Sequence, residues 1–282
     1  MRFREGANVK LVRILLPITQ HGTTEACAAA AFSLAERSGA QLEVLHACPA
    51  LAERLPYSTE LSPFYFEELI GIGKKQVALE KRQARTWLGK AARSHPKVRP
   101  ELVAIESLVG PAVAMRAKVA DLTVLPSIDA EENGFWASAR DAALFHSGRP
   151  LLVVPKETEG AVGETVVVAW KDAVEAVRAV AAAQPFLAKA KRIRLVSVTE
   201  RGQDETAAAM VDYLTRGGLR VRLVHLASDA REVGEVLLEA AGGNGVLLVM
   251  GAYGHWRWRE WVFGGATRYV LRHTTVPVLM MY

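Results

Sequence analysis

The chain has 282 residues, half of them apolar, a mean hydropathy of +0.11 and a formal charge of +5 at neutral pH. That apolar content excludes global disorder, and the length suits one large domain or two ordinary ones. The 35 basic and 30 acidic residues are interspersed rather than blocked, which argues against a nucleic-acid surface, and two cysteines outside any C-x-x-C pattern exclude a disulfide scaffold.

The first apolar run is short and interrupted by Arg13, so it does not read as a signal peptide. With no run of about 18 apolar residues elsewhere, a cytoplasmic protein without membrane insertion is expected. Val12–Pro17 reads as a buried strand that ends in a polar turn, and Thr24–Gly39 as an Ala-rich helix. Leu42–His46 is a second short strand, Ser58–His95 is rich in helix formers, and Asp121–Leu125 and Pro150–Val154 are further apolar runs. Lys156–Glu164 is polar and carries glycines, as a linker would. The order then recurs: strand Val166–Trp170, helical Ala173–Ala190, strand Ile193–Val198, helical Asp204–Gly217, and strands Gly245–Val249 and Pro277–Met281.

Alternation of strand and helix predicts an α/β fold of two tandem doubly wound units with right-handed crossovers, spanning 8–156 and 163–282. A single dinucleotide-binding domain would need G-x-G-x-x-G directly after its first strand. Neither Pro17-Ile18-Thr19-Gln20 nor Trp170-Lys171-Asp172 supplies those glycines, and no G-x4-G-K-[ST] loop occurs.

The segment from Val246 to Tyr282 is the most informative. An apolar run stops at Gly251, Gly254 follows, and after nine intervening residues Gly264–Gly265 open an amphipathic helix that leads to Thr275-Val276-Pro277 and a last strand. Glycine permits close backbone approach to a ligand, and a helix N-terminus presents N–H groups to an anion. The spacing G-x2-G-x9-G resembles the nucleotide loop of the universal stress protein family, whose pattern has Ser or Thr where Gly265 stands.

That resemblance implies a tandem member with a five-stranded, Rossmann-like parallel sheet in each unit. It implies an adenine nucleotide (ATP, ADP or AMP) in the second unit, with Mg2+ only as the nucleotide's companion. The implied pocket comprises Ala169, Trp170, Lys171, Asp172, Val198, Met250, Gly251, Gly254, His255, Gly264, Gly265, Ala266 and Thr267. The family usually places Asp after the first strand; here Lys171 stands there, with Asp172 one step on. Arg257 and Arg259 could add positive charge to the loop.

Aligned backwards from Pro150 and Pro277, the first unit has Ala137 and Ser138 opposite Gly264 and Gly265, and Ser127 opposite Gly251. Asp129, Glu131 and Glu132 add negative charge, so this unit is expected to lack the nucleotide and to act as a built-in partner, since family members pair through their last strands. The implied role is that of a non-catalytic stress-response regulator with a protein partner, an internal pseudo-dimer and, as a further option, a homodimer. The alternative is a nucleotide-free scaffold that works through Trp256, Trp258 and Trp261. Ser127, Ser138 and Cys27 belong to no nucleophile motif. His46 and His225 follow apolar runs and have no evident metal-ligand spacing, and His273 suits a helix C-terminus.

Overall fold

The computed structural model describes residues 10–49, 63–127, 134–200, 204–253 and 265–282. The first half runs β1 (Arg13–Ile18), α1 (Glu25–Ser38), β2 (Gln41–Cys48), α2 (Pro63–Ala91), β3 (Glu101–Glu106), α3 (Val109–Ala117), β4 (Leu122–Pro126), α4 (Gly134–His146) and β5 (Leu151–Val154). The second runs β6 (Thr165–Trp170), α5 (Val174–Ala182), the single turn α6 (Gln184–Leu187), β7 (Arg192–Thr199), α7 (Glu205–Arg216), β8 (Val221–Ala227), α8 (Val233–Ala240), β9 (Val246–Gly251), α9 (Gly265–His273) and β10 (Val278–Met281).

All ten strands form one sheet in the order β3-β2-β1-β4-β5-β10-β9-β6-β7-β8. Every pairing is parallel except the central one, where β5 and β10 run antiparallel with Leu152 opposite Leu279. Each half is thus a five-stranded parallel sheet of the expected kind, and their last strands join edge to edge. Helices cover both faces, which is why β4, β5, β6 and most of β1 and β9 are buried and read as unbroken apolar runs. The outermost strands β3 and β8 alternate between exposed and half-buried positions. Their mixed polar sequences explain why composition did not mark them as strands.

Local signals set most helix ends. Thr24 caps α1 by accepting from the Cys27 N–H, and Gly39 ends it at φ 67°. The helical stretch after β6 is broken instead of continuous: α5 stops at Ala182, and Pro185 begins the next turn. The polar connection between the halves is also anchored. Val162 is buried, and its carbonyl accepts from the Arg37 guanidinium at 3.0 Å.

The pairing corrects one alignment. Thr123 faces Leu151 of β5 and Leu248 faces Val278 of β10, so Thr123 and Leu248 are counterparts, and Gly251 is matched by Pro126 rather than Ser127. Apolar runs carry no marker of register, so a one-residue slip was invisible in sequence. His146 and His273 do end equivalent helices, α4 and α9.

Candidate functional site

In an open parallel sheet, a crevice forms beyond the C-terminal strand ends where strand order reverses. In the second half that point lies between β6 and β9, and a cavity of about 510 Å3 opens there. Ala169, Trp170 and Lys171 reach it from the end of β6, and Ser197, Val198 and Thr199 from β7. Met250, Gly251 and Tyr253 enter from β9, Glu232, Val233 and Leu237 from the start of α8, and Gly265, Ala266 and Thr267 from the start of α9. A wider cavity of about 860 Å3 lies at the opposite end of the strands, among Lys191, Arg192, Arg194, Arg220 and Arg222. It is away from the switch point and from the glycine loop.

The structure therefore brings together Ala169, Trp170, Lys171, Val198, Met250, Gly251, Gly265, Ala266 and Thr267. Asp172 does not line the cavity and is exposed. Gly254, His255 and Gly264 lie outside the described residues, as do Trp256, Arg257, Trp258, Arg259, Trp261, Asp129, Glu131 and Glu132.

The two described glycines have different reasons to be glycine. A Cβ on Gly251 would sit 2.7 Å from the backbone nitrogen of Ala176, so its absence lets α5 pack against the end of β9. Among the described residues, a Cβ on Gly265 would approach only the Glu232 carboxylate, at 3.4 Å, and is not excluded by their packing. Its neighbour Thr267 is buried, and its hydroxyl accepts from the Tyr253 N–H at 3.4 Å. Tyr253 has φ 58°, a left-handed conformation that a bulky side chain rarely adopts. Its ring lies 5.1 Å from that of Phe145 on α4, so the segment just after β9 touches the first half, and burial raises its phenol above the ordinary range.

A polar network absent from the sequence reading forms the opposite wall. Asp204 caps α7, accepting from the N–H groups of Thr206 and Ala207, from the Thr206 hydroxyl at 2.6 Å and from the Ser197 hydroxyl at 2.7 Å. Trp170 Nε1 donates to Thr206 Oγ1 at 3.0 Å, which ties the end of β6 to the same cap. An Asp three residues ahead of an Ala-rich stretch was a legible cap signal. Its link to Ser197 needed the β7 register. Burial alone would raise the Asp204 carboxyl, but the hydrogen bonds from Thr206, Ser197 and Ala207 outweigh it and hold the group below its ordinary value.

A depressed carboxyl gives stability that is present above the unfolded value, about pH 3.9, and is lost as pH falls through the folded one. Asp204→Ala is expected to cost about 1–2 kcal/mol at pH 7 by urea unfolding. Asp204→Asn keeps a capping side chain and should cost less, and its difference from wild type should shrink below about pH 4. A difference that grows on acidification would refute the assignment.

The cavity's described charges are Lys171, Glu175, Asp204 and Glu232. Full burial pushes the Cys27 thiol up to about 12, which disfavours its thiolate at neutral pH.

A universal stress protein from Archaeoglobus fulgidus superposes with a TM-score of 0.66 at 17% identity, over 98% of this chain and 98% of that one. The fold is that of the universal stress proteins, present twice in one chain. A functionally unknown protein from Pseudomonas aeruginosa matches at TM-score 0.56 and 14% identity, over 98% of this chain and 94% of that one. A putative universal stress protein from the same species gives 0.54 and 13%, over 98% and 95%. No protein-family profile and no curated protein sequence matches the chain. The universal stress protein fold is thus shared at the level of architecture. Among the described residues, no helix is long and apolar enough to cross a membrane.

Proposed function

We propose that the second half binds an adenine nucleotide (ATP, ADP or AMP) and that the protein is a non-catalytic stress-response regulator whose partner reads the occupied site. The observation that carries this reading is Gly265, which opens α9 at the rim of the switch-point cavity with no packing reason, among the described residues, to lack a side chain. Around it the first-turn N–H groups of α9 offer an anion site, where each interaction contributes about 0.3–1 kcal/mol. The anionic end of the ligand belongs there, away from Asp204 though beside the Glu232 carboxylate, and the base and sugar belong against Trp170, Val198 and Met250. Lys171 at the mouth adds a cation in place of the family's aspartate. The equivalent helix of the first half, α4, starts four positions earlier in the repeat and carries Ser138 opposite Gly265. We therefore assign the nucleotide to the second half alone, with 8–156 and 163–282 as the two domains.

Calorimetry with ATP, ADP and AMP tests the reading. Gly265→Val is expected to weaken binding at least about tenfold, near 1.4 kcal/mol, with an unchanged melting temperature. Gly251→Ala is the contrasting control, expected to lower stability by about 1–3 kcal/mol through overpacking. No heat from any of the three nucleotides at millimolar concentration would end the proposal.

A further inference from the structure

His46 and Cys48 stand two apart near the end of β2, so both side chains leave the same face of the sheet as Leu42 and Val44. That face packs against α2, whose inward positions Glu80, Ala84 and Leu88 recur every four residues. His46, Cys48 and Glu80 consequently meet inside the first half, 2%, 0% and 6% exposed, with one ligand atom of each within 4.8 Å of the other two. We propose that these three side chains bind one zinc-class divalent ion.

The donor set selects the ion. A thiolate beside an imidazole and a carboxylate suits Zn2+ or Co2+ and disfavours Mg2+ and Ca2+, which take oxygen ligands. A thiolate and a carboxylate also neutralise a divalent charge, so the loaded site buries no net charge. Tetrahedral bonds of about 2.0–2.3 Å place donor atoms about 3–4 Å apart, so the cluster closes with side-chain shifts on the order of 1 Å.

The surroundings orient the donors as a metal site requires. His46 Nδ1 lies 3.5 Å from the Ile18 carbonyl; a proton held there leaves Nε2 for the ion. Gln76, one turn before Glu80 on α2, donates its amide to Glu80 Oε1 at 3.1 Å. Three protein ligands leave a fourth position for water or a small anion.

Position within the repeat adds a second argument. β1 and β6 are equivalent and so are β2 and β7, which sets His46 against Ser197 and Cys48 against Thr199. The cluster therefore occupies the place that the Ser197–Asp204 network holds in the second half. The first half lacks the glycine loop but keeps polar chemistry at the same strand end.

The test uses the full chain, untagged, refolded under reducing conditions with one equivalent of Co2+. The expected result is one bound ion that survives gel filtration and gives thiolate-to-cobalt charge-transfer absorption, bleached by Zn2+. Cys48→Ser should lose that absorption, while Cys27→Ser, at the other buried thiol, should keep it. Should Cys48→Ser fail to fold, Gln76→Ala decides: it removes only the outer hydrogen bond and should weaken Co2+ binding by about 10- to 100-fold. Absence of the charge-transfer band in wild type, a band unaffected by Cys48→Ser, or a Co2+ affinity unchanged by Gln76→Ala would overturn the site.

Discussion

Arg116→Ala is expected to destabilise the protein by about 3 kcal/mol, the low end of the range for breaking a buried ion pair. Glu43 lies in the interior of β2, 1% exposed, on the face it shares with Leu45 and Ala47. Arg116 of α3 meets it with both arms of the guanidinium, Nε to Oε1 at 2.6 Å and a terminal nitrogen to Oε2 at 2.5 Å. That hydrogen-bonded pairing also raises the Arg116 pKa above its ordinary value. Removing the arginine leaves a carboxylate under the sheet with only the more distant Arg13, at 3.9 Å, to offset its charge. The loss therefore reflects a stranded charge more than a missing bond. Arg116→Ala combined with Glu43→Leu should recover most of the stability, because neither charge is then buried. Urea unfolding at pH 7 measures both, and a loss below about 1 kcal/mol in the single variant would show that water reaches Glu43.

Leu279→Ala is expected to cost about 2–5 kcal/mol and to do so in one unfolding transition. Leu279 is fully buried at the antiparallel join, opposite Leu152 and beside Val249. Truncating it leaves a cavity in a core cluster that extends from β1 of one half to β7 of the other. Because the join lies at the middle of one continuous sheet, scanning calorimetry should show a single shifted peak. Two peaks, of which only one moves, would mean that the halves unfold separately.

The sequence revealed the repeated strand–helix order because buried parallel strands are short apolar runs and the helix caps are local signals, as at Thr24 and Gly39. The resemblance carried by the glycine spacing also implied Ala169, Met250 and Gly251 as pocket residues, and these line the cavity. It could not separate glycine as packing from glycine as ligand access: Gly251 and Gly265 differ only in what approaches them in space. Contacts set by tertiary packing were equally hidden. Glu43 with Arg116, Ser197 with Asp204, and His46 with Cys48 and Glu80 each depend on a register or a helix face that no local pattern states. Edge strands β3 and β8 were missed because half-exposed strands mix charged and apolar residues without clear alternation.

The join between β5 and β10 also has a mass-action consequence. Two separate five-stranded units meeting through the same strands would form a bimolecular interface, and dilution would part them. Here both strands belong to one chain, so closure is unimolecular at an effective concentration fixed by the connecting segment. The melting temperature should then be independent of protein concentration as far as this interface is concerned. The covalent link also frees the two halves from having to be identical, so each can carry its own chemistry without competing for partners.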